Sequence, residues 1–291
     1  MKNIKYIFSV AIISIILYSC SKDTSPEDNF DYLAQAKKDK DSLIKFLTKH
    51  YYNATLDSVK PLITGKTALM DDPKLHAQTV TEKLGGDNVE LTMYYYVNRE
   101  GNPDPLKASP TVMDSIFVKY VGQKIIRTDG LKTIDKGERV WWNLGNGVIR
   151  GWTYGFTNFK PGHNITNNGP ITYENGGKGI LFIPSGLGYG NAGNKKIPKN
   201  SNLLFYIELW DIVENTDYDN DGIPSINEDP DGDGDPRNDD TDGDLKPNFL
   251  DDDDDNDGVL TRNEDANGDG DPTNDFKNGG TIPDYLNKDV K

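Results

Sequence analysis

Cysteine is nearly absent: Cys20 is the only one in 291 residues, so neither a disulfide nor a thiolate metal cage can form within the chain. Histidine is almost as scarce, and His50, His76 and His163 are too scattered to suggest a catalytic or metal-binding group. Gly145-Asn146-Gly147 followed by Gly151 misses the spacing of a dinucleotide fingerprint. Long apolar runs are lacking too; Ile7 to Tyr18, broken by Ser9 and Ser14, is too short to span a bilayer comfortably. Positive charge is scarce at the end of the chain. Residues 214–291 hold 26 of the 47 acids and 6 of the 32 basic residues, which leaves them at −20 and everything before them at +5. The charge needed to neutralise phosphates is absent, which argues against nucleic acid as a partner, and the asymmetry marks a separate acidic module.

At the start stands a short basic region, Lys2 and Lys5, before that apolar run, which is the layout of a signal peptide. The run ends in Leu17-Tyr18-Ser19-Cys20, which resembles the cleavage box of bacterial lipoproteins. The resemblance implies a signal peptide over residues 1–19, lipidation of Cys20 and a polar tether over 20–29. The expected location is the cell envelope outside the cytoplasm, on an outer membrane facing the periplasm or the surface.

Phe30, Leu33, Ala34, Leu43, Ile44, Phe46 and Leu47 recur at mostly helical spacing and predict an amphipathic helix over 30–52, opening a helical extension that runs to residue 87. Residues 53–87 show no clear pattern. From Val89 the chain turns to short aromatic and β-branched runs at Val89–Val97, Ser115–Val121, Arg139–Leu144, Gly179–Ile183 and Leu203–Trp210, which read as strands separated by Gly and Pro turns. Tyr94, Tyr95, Tyr96 and Trp141 are expected to be packing aromatics of these strands. Only Gly151 to Phe159 is left for a helix inside the sheet. The expected class is α+β, a curved antiparallel sheet around one short helix.

Val148-Ile149-Arg150-Gly151-Trp152, Ile183-Pro184-Ser185-Gly186-Leu187-Gly188-Tyr189-Gly190, Lys196-Ile197-Pro198 and Leu204-Phe205-Tyr206-Ile207-Glu208-Leu209 resemble the FK506-binding (FKBP) family of prolyl isomerases, in order and approximate spacing, over residues 88–213. The resemblance implies a shallow apolar pocket floored by Trp152 and walled by Tyr120, Val148, Ile149, Ile197 and Phe205, with the Tyr189 hydroxyl offered to a substrate carbonyl. The family's Phe-Asp pair corresponds to Ile134-Asp135 with one residue inserted after Gly130, and Val140 stands where an aromatic is common. Phe159 to Lys178 is longer than the family's link between helix and strand and is expected to form an exposed loop that could reach the pocket. The implied activity is peptidyl-prolyl cis/trans isomerisation of exported, proline-containing polypeptides, with no cofactor for the chemistry.

The acidic module is a repeat. Asp217, Asp219, Asp221, Gly222, Ile223 and Glu228 stand at positions one, three, five, six, seven and twelve of an oxygen-ligand calcium loop, and the pattern returns 36 residues later at Asp253, Asp255, Asp257, Gly258, Val259 and Glu264. Asp229, Asp231, Asp233 and Asp235, then Asp240, Asp242, Asp244 and Asp251, read as further loops in the first unit. The last of these becomes Phe276, Asn278, Gly280 and Asn287 in the second and is expected to have lost its metal. Pro224 and Pro247 oppose the flanking helices of an EF-hand, and residues 214–291 are similar to thrombospondin type 3 repeats. The resemblance implies an irregular tail ordered by structural calcium, since spaced carboxylates with few apolar residues cannot fold alone. Two other readings compete with the enzyme: a non-catalytic binding module for proline peptides, and a calcium-stiffened adhesive or spacer. No motif links the tail to Trp152, so isomerisation is expected to ignore calcium.

Overall fold

The computed structural model describes residues 29–103, 107–126 and 130–290. The leader, Cys20 and the tether up to residue 28 lie outside these.

Helix α1 (Tyr32–Thr48) buries Asp39, Leu43, Phe46 and Leu47 along one stripe. The stripe starts later than expected, because Leu33 is 57% exposed. The helix also ends earlier. His50 stacks on Phe46 with ring centroids 3.8 Å apart, and residues 50–52 belong to strand β1 (His50–Asn53), paired with β2 (Ser58–Pro61). Two adjacent tyrosines, Tyr51 and Tyr52, favour the extended backbone there.

Strand β3 (Leu75–Leu84) follows, so the extension is not wholly helical: this strand joins the main sheet. Its neighbours are β4 (Asp87–Arg99), β5 (Ser115–Ile126), β6 (Gly130–Asn143), β9 (Gly177–Ile183) and β10 (Leu203–Val213), in the spatial order β3-β4-β9-β10-β5-β6, and every pairing is antiparallel. The period of two along a strand decides which helix each residue meets. Leu181, Ile183, Phe205 and Ile207 pack with helix α2 (Arg150–Gly155) on one face; Ile180, Phe182 and Leu204 pack with Phe46 and Leu47 of α1 on the other. Burying each such side chain contributes about 1.5–3 kcal/mol. Gly151 lets α2 lie against the sheet, since a Cβ there would stand 2.3 Å from Ile183 Cγ2.

The long link after α2 forms a small hairpin, β7 (His163–Asn164) with β8 (Tyr173–Glu174), and lies away from the pocket. Gly162 N–H donates to Trp210 O at 2.9 Å, and the Tyr173 hydroxyl donates to Asp211 at 2.7 Å, which fixes the hairpin beside β10. Its partners there include Phe117, whose ring lies 5.7 Å from that of Tyr173 and 5.0 Å from that of Trp141. Trp141 is therefore not core: it is 46% exposed.

Beyond β10 the chain contains 3-10 turns and no α-helix among the described residues. It is nevertheless docked. The Tyr218 hydroxyl donates to Met113 O at 2.9 Å and accepts from Gly145 N at 3.1 Å. Arg237, with a side chain only 4% exposed, donates to the Tyr154 hydroxyl at 2.7 Å and lies 3.6 Å from Glu82, while Tyr154 donates to Glu82 at 2.7 Å. Tyr154 is two residues from Trp152 on α2. The expected indifference to calcium rested on the lack of a sequence motif joining the tail to Trp152; the fold adds a contact between the tail and the pocket helix, at Tyr154.

The tail loops repeat a backbone turn. Gly222, Gly234, Gly258 and Gly270 each take the sixth place with φ between 87° and 104°. In the loop starting at Asp240 that place is Leu245, at φ 79° and 92% exposed. A left-handed conformation costs a side chain about 1–2 kcal/mol. Leu245→Gly is expected to raise the stability of the tail by about 1 kcal/mol, read from the midpoint of tail unfolding in denaturant.

Candidate functional site

All eight residues singled out for the pocket, Tyr120, Asp135, Val148, Ile149, Trp152, Tyr189, Ile197 and Phe205, line one cleft of about 640 Å³. Trp152 opens α2: its N–H donates to Ile149 O at 2.8 Å, and the ring is 4% exposed. Three rings stand edge-on to it, with centroids 4.8 Å away for Tyr120, 5.3 Å for Phe205 and 5.2 Å for Phe156. Edge-to-face contacts of this kind add about 0.5–1.5 kcal/mol each and hold the floor rigid. Phe205 reaches inward because Gly122 lies opposite it on β5, where a Cβ would come within 2.4 Å of the ring.

The Tyr120 hydroxyl donates to Asp135 Oδ2 at 2.9 Å, and burial together with that carboxylate pushes it up to about 12. It therefore stays a donor at neutral pH. Tyr189 stands at the mouth, 37% exposed, and its hydroxyl has no hydrogen-bond partner among the described residues. Burial and the nearby Asp135 charge raise its pKa as well, which keeps its proton available. The cleft offers apolar surface, one free hydroxyl and no nucleophile–base pair.

Six further residues line the cleft, Ile134, Trp142, Gly147, Asn194, Lys195 and Lys196. Trp142 brings an aromatic to the side of β6 on which Val140 lacks one, and the indole N–H groups of both Trp142 and Trp152 are buried without a hydrogen-bond partner among the described residues. Alternation along β6 sends Trp141 outward and Trp142 inward. Only the sheet register distinguishes two adjacent tryptophans.

A buried polar knot behind the cleft also escaped notice. Asp39 of α1 accepts from Ser185 N at 2.9 Å and Ser185 Oγ at 2.6 Å, and Asn202 Nδ2 donates to Asp39 O at 3.2 Å. Ser185 O in turn accepts from Gly188 N and Gly190 N, which flank Tyr189. Burial raises the Asp39 pKa, with the Ser185 and Gln35 hydrogen bonds working against it. The signal lay in position: Asp39 is one helical turn before Leu43 on the apolar stripe. Asp39→Ala leaves Ser185 with weaker partners and is expected to cost about 1–3 kcal/mol of stability, measured by denaturant unfolding, with Asp39→Asn closer to wild type.

In the tail, carboxylate oxygens converge within 4.8 Å of one another in the groups Asp217/Asp219/Asp221, Asp229/Asp231/Asp233, Asp240/Asp242/Asp244 and Asp253/Asp255/Asp257. Glu228, at position twelve, meets Asp221 and Asp254 instead of the whole loop. Asp235 is engaged otherwise, holding Arg237, whose guanidinium keeps the Asp235 carboxylate low despite its burial. Asp251 accepts from Lys246 Nζ and Asp253 N, each at 3.2 Å. The loop from Asp265 to Asp271, not foreseen as a ligand set, repeats the turn of 229–235, with Gly270 N donating to Asp265 as Gly234 N does to Asp229. Buried oxygens of Asp219, Asp221, Glu228, Asp242, Asp253, Asp255 and Glu264 have no hydrogen-bond partner among the described residues. Burial and neighbouring carboxylates push Asp219 and Glu264 up to about 8 and Glu228 to about 10. Such orphaned oxygens, with no nitrogen or sulfur among them, suit a hard divalent cation such as calcium.

The family model for FKBP-type peptidyl-prolyl cis-trans isomerase matches residues 107–210. The FKBP-type isomerase FkpA of Escherichia coli (strain K12) is 36% identical over 139 residues, covering 48% of this chain and 44% of that protein. FK506-binding protein 2 of Debaryomyces hansenii is 32% identical over 117 residues, covering 40% of this chain and 76% of that protein. The crystal structure of FkpA from Escherichia coli overlaps 42% of this chain and 48% of that one, at 34% identity and a TM-score of 0.32. The match thus spans less than half the length of the Escherichia coli FkpA. Residues 107–210 include β5, β6, β9, most of β10, the short helix α2 and the aromatic cleft, while β3 and β4 precede them. This chain belongs to the FKBP-type peptidyl-prolyl cis-trans isomerase family.

Proposed function

We propose that the protein is a peptidyl-prolyl cis/trans isomerase acting on proline-containing polypeptides outside the cytoplasm, held to a membrane through a lipidated Cys20 and carrying a tail ordered by calcium. The observation that carries the enzymatic reading is the single cleft uniting Trp152, Tyr189, Tyr120, Phe205 and Ile197. Rotation about an X-Pro bond breaks amide resonance against a barrier of about 18–20 kcal/mol, with no bond cleaved. As conjugation is lost the C–N unit becomes less dipolar and prefers apolar surroundings, which the aromatic cup supplies. The prolyl ring packs on Trp152 while Tyr189 donates to the carbonyl, so the twisted form is held better than either planar one. The Tyr120–Asp135 bond fixes the wall during this rotation.

Export and anchoring are supported by the leader pattern and Cys20, and calcium by the orphaned carboxylate oxygens. When bound, calcium neutralises charge and ties the loop backbone; it takes no part in the rotation. A purely binding module would have gained support from a hairpin covering Trp152, and the hairpin lies elsewhere. The test is refolding of a denatured protein limited by prolyl isomerisation, a step that takes tens to hundreds of seconds unaided. Acceleration by catalytic amounts of the full chain supports the proposal; an unchanged rate in the presence of folded protein contradicts it.

A further inference from the structure

Tyr218 and Asp254 occupy the same place in the two tail units, 36 residues apart. Their backbone frames agree: Tyr218 N donates to Ser225 Oγ at 3.1 Å, and Asp254 N donates to Thr261 Oγ1 at 3.3 Å. Their side chains do different things. Tyr218 leaves its loop to meet Met113 and Gly145, with its ring 5.6 Å from Phe249. Asp254 is 2% exposed and faces Asp221 and Glu228 of the first unit, each 0% exposed.

One carboxylate oxygen from each of these three residues lies within 4.8 Å of the others. Thr261 Oγ1 occupies Asp254 Oδ2 and Ile223 N occupies Asp221 Oδ1. The remaining Asp254 Oδ1, Asp221 Oδ2 and both Glu228 oxygens are buried with no hydrogen-bond partner among the described residues. Among the described residues no lysine or arginine pairs with any of the three; Lys246, the basic residue of this region, goes to Asp251 and Asp252. A protein does not bury three carboxylates against one another without a counter-charge. Oxygens sharing one calcium at 2.3–2.6 Å lie no more than about 5.2 Å apart, so the observed spread fits.

We propose that Asp221, Glu228 and Asp254 hold one divalent cation, calcium by its ligand chemistry, between the two tail units, with Asp254 as the ligand that the second unit contributes. This rests on the calcium reading above and goes beyond it, because a loop closed by its own twelve residues needs no ligand from the next unit. The substitution of Tyr by Asp at one repeat position gives the copies separate tasks: Tyr218 joins the first unit to the isomerase domain, and Asp254 joins the second unit to the first. The tail then folds as one piece.

The test is calcium titration of the full chain by calorimetry, with bound ions counted by native mass spectrometry, on wild type, Asp254→Asn and the more exposed neighbour Asp252→Asn. Asp254→Asn is expected to lose one ion or bind it at least tenfold more weakly, with Asp252→Asn unchanged. Limited proteolysis separates a ligand from a structural hydrogen bond. With chelator, Asp254→Asn resists cleavage between residues 217 and 264 as well as wild type or better, because repulsion is relieved; with calcium it resists less. Lower resistance under both conditions would make Asp254 a mere partner of Thr261 and overturn the proposal. Unchanged ion count and affinity in Asp254→Asn overturns it while leaving calcium in the tail; no calcium uptake by wild type overturns both.

Discussion

Chelation of calcium is expected to release residues 217–290 into fast amide exchange while the six-stranded sheet stays protected. The reason is quantitative. Ile223, Phe249 and Tyr285 are the large apolar side chains buried in the tail, and at about 1.5–3 kcal/mol each they contribute less than about 10 kcal/mol. Ordering more than seventy residues costs about 1 kcal/mol or more apiece in backbone entropy. On the proposed reading calcium supplies much of the difference, each site held at a thousandfold excess over its Kd contributing about 4 kcal/mol. The pH dependence of the calcium-free form follows. Asp254 at about 9, Glu228 at about 10 and Asp219 at about 8 are raised by burial and by one another. A raised folded-state pKa gives stability that is full below the unfolded value near 4 and lost as pH climbs through the folded value. Calcium-free tail is therefore expected to be better protected at pH 5 than at pH 8, and calcium should remove that slope. Hydrogen exchange with and without chelator at the two pH values checks both; full protection at pH 8 in chelator would contradict a metal-ordered tail.

Trp152→Ala should lower kcat/KM for an X-Pro peptide by about a hundredfold, because it removes the surface on which the prolyl ring turns and the ring that Tyr120, Phe205 and Phe156 all brace. A hundredfold corresponds to about 2.7 kcal/mol of lost transition-state stabilisation. Since truncating a buried Trp also costs about 3–5 kcal/mol of fold stability, Trp152→Phe is the necessary companion. It keeps an aromatic floor, and its loss is expected nearer tenfold. Thermal unfolding of both variants separates lost activity from lost fold.

The parts of this molecule legible in the sequence are those where chemistry and pattern coincide. β4, β5, β9 and β10 carry dense aromatic and β-branched runs, and the pocket residues sit in motifs whose order survives. β3 was not legible because it is an edge strand, half exposed in every second residue, whose place comes from pairing with β4. Asp39 reads as one acid in a Lys-Asp-Lys-Asp stretch and becomes structural only because the Leu43–Leu47 stripe carries it under Ser185. Asp254 reads as one of five consecutive aspartates, Asp251 to Asp255. Its role depends on the first unit folding back against the second, and no local pattern encodes that. Arg237 is similar: a lone basic residue among acids, whose burial against Tyr154 follows from where the tail docks.

The decisive measurement is the rate of cis-to-trans exchange of a short X-Pro peptide, followed by NMR line broadening with substoichiometric full chain in calcium. Catalysed exchange in wild type, falling about a hundredfold in Trp152→Ala and about tenfold in Trp152→Phe, is the predicted result. Exchange no faster than in buffer, with peptide resonances shifted by binding in the cleft, would contradict the enzyme and leave a module that holds proline segments without turning them.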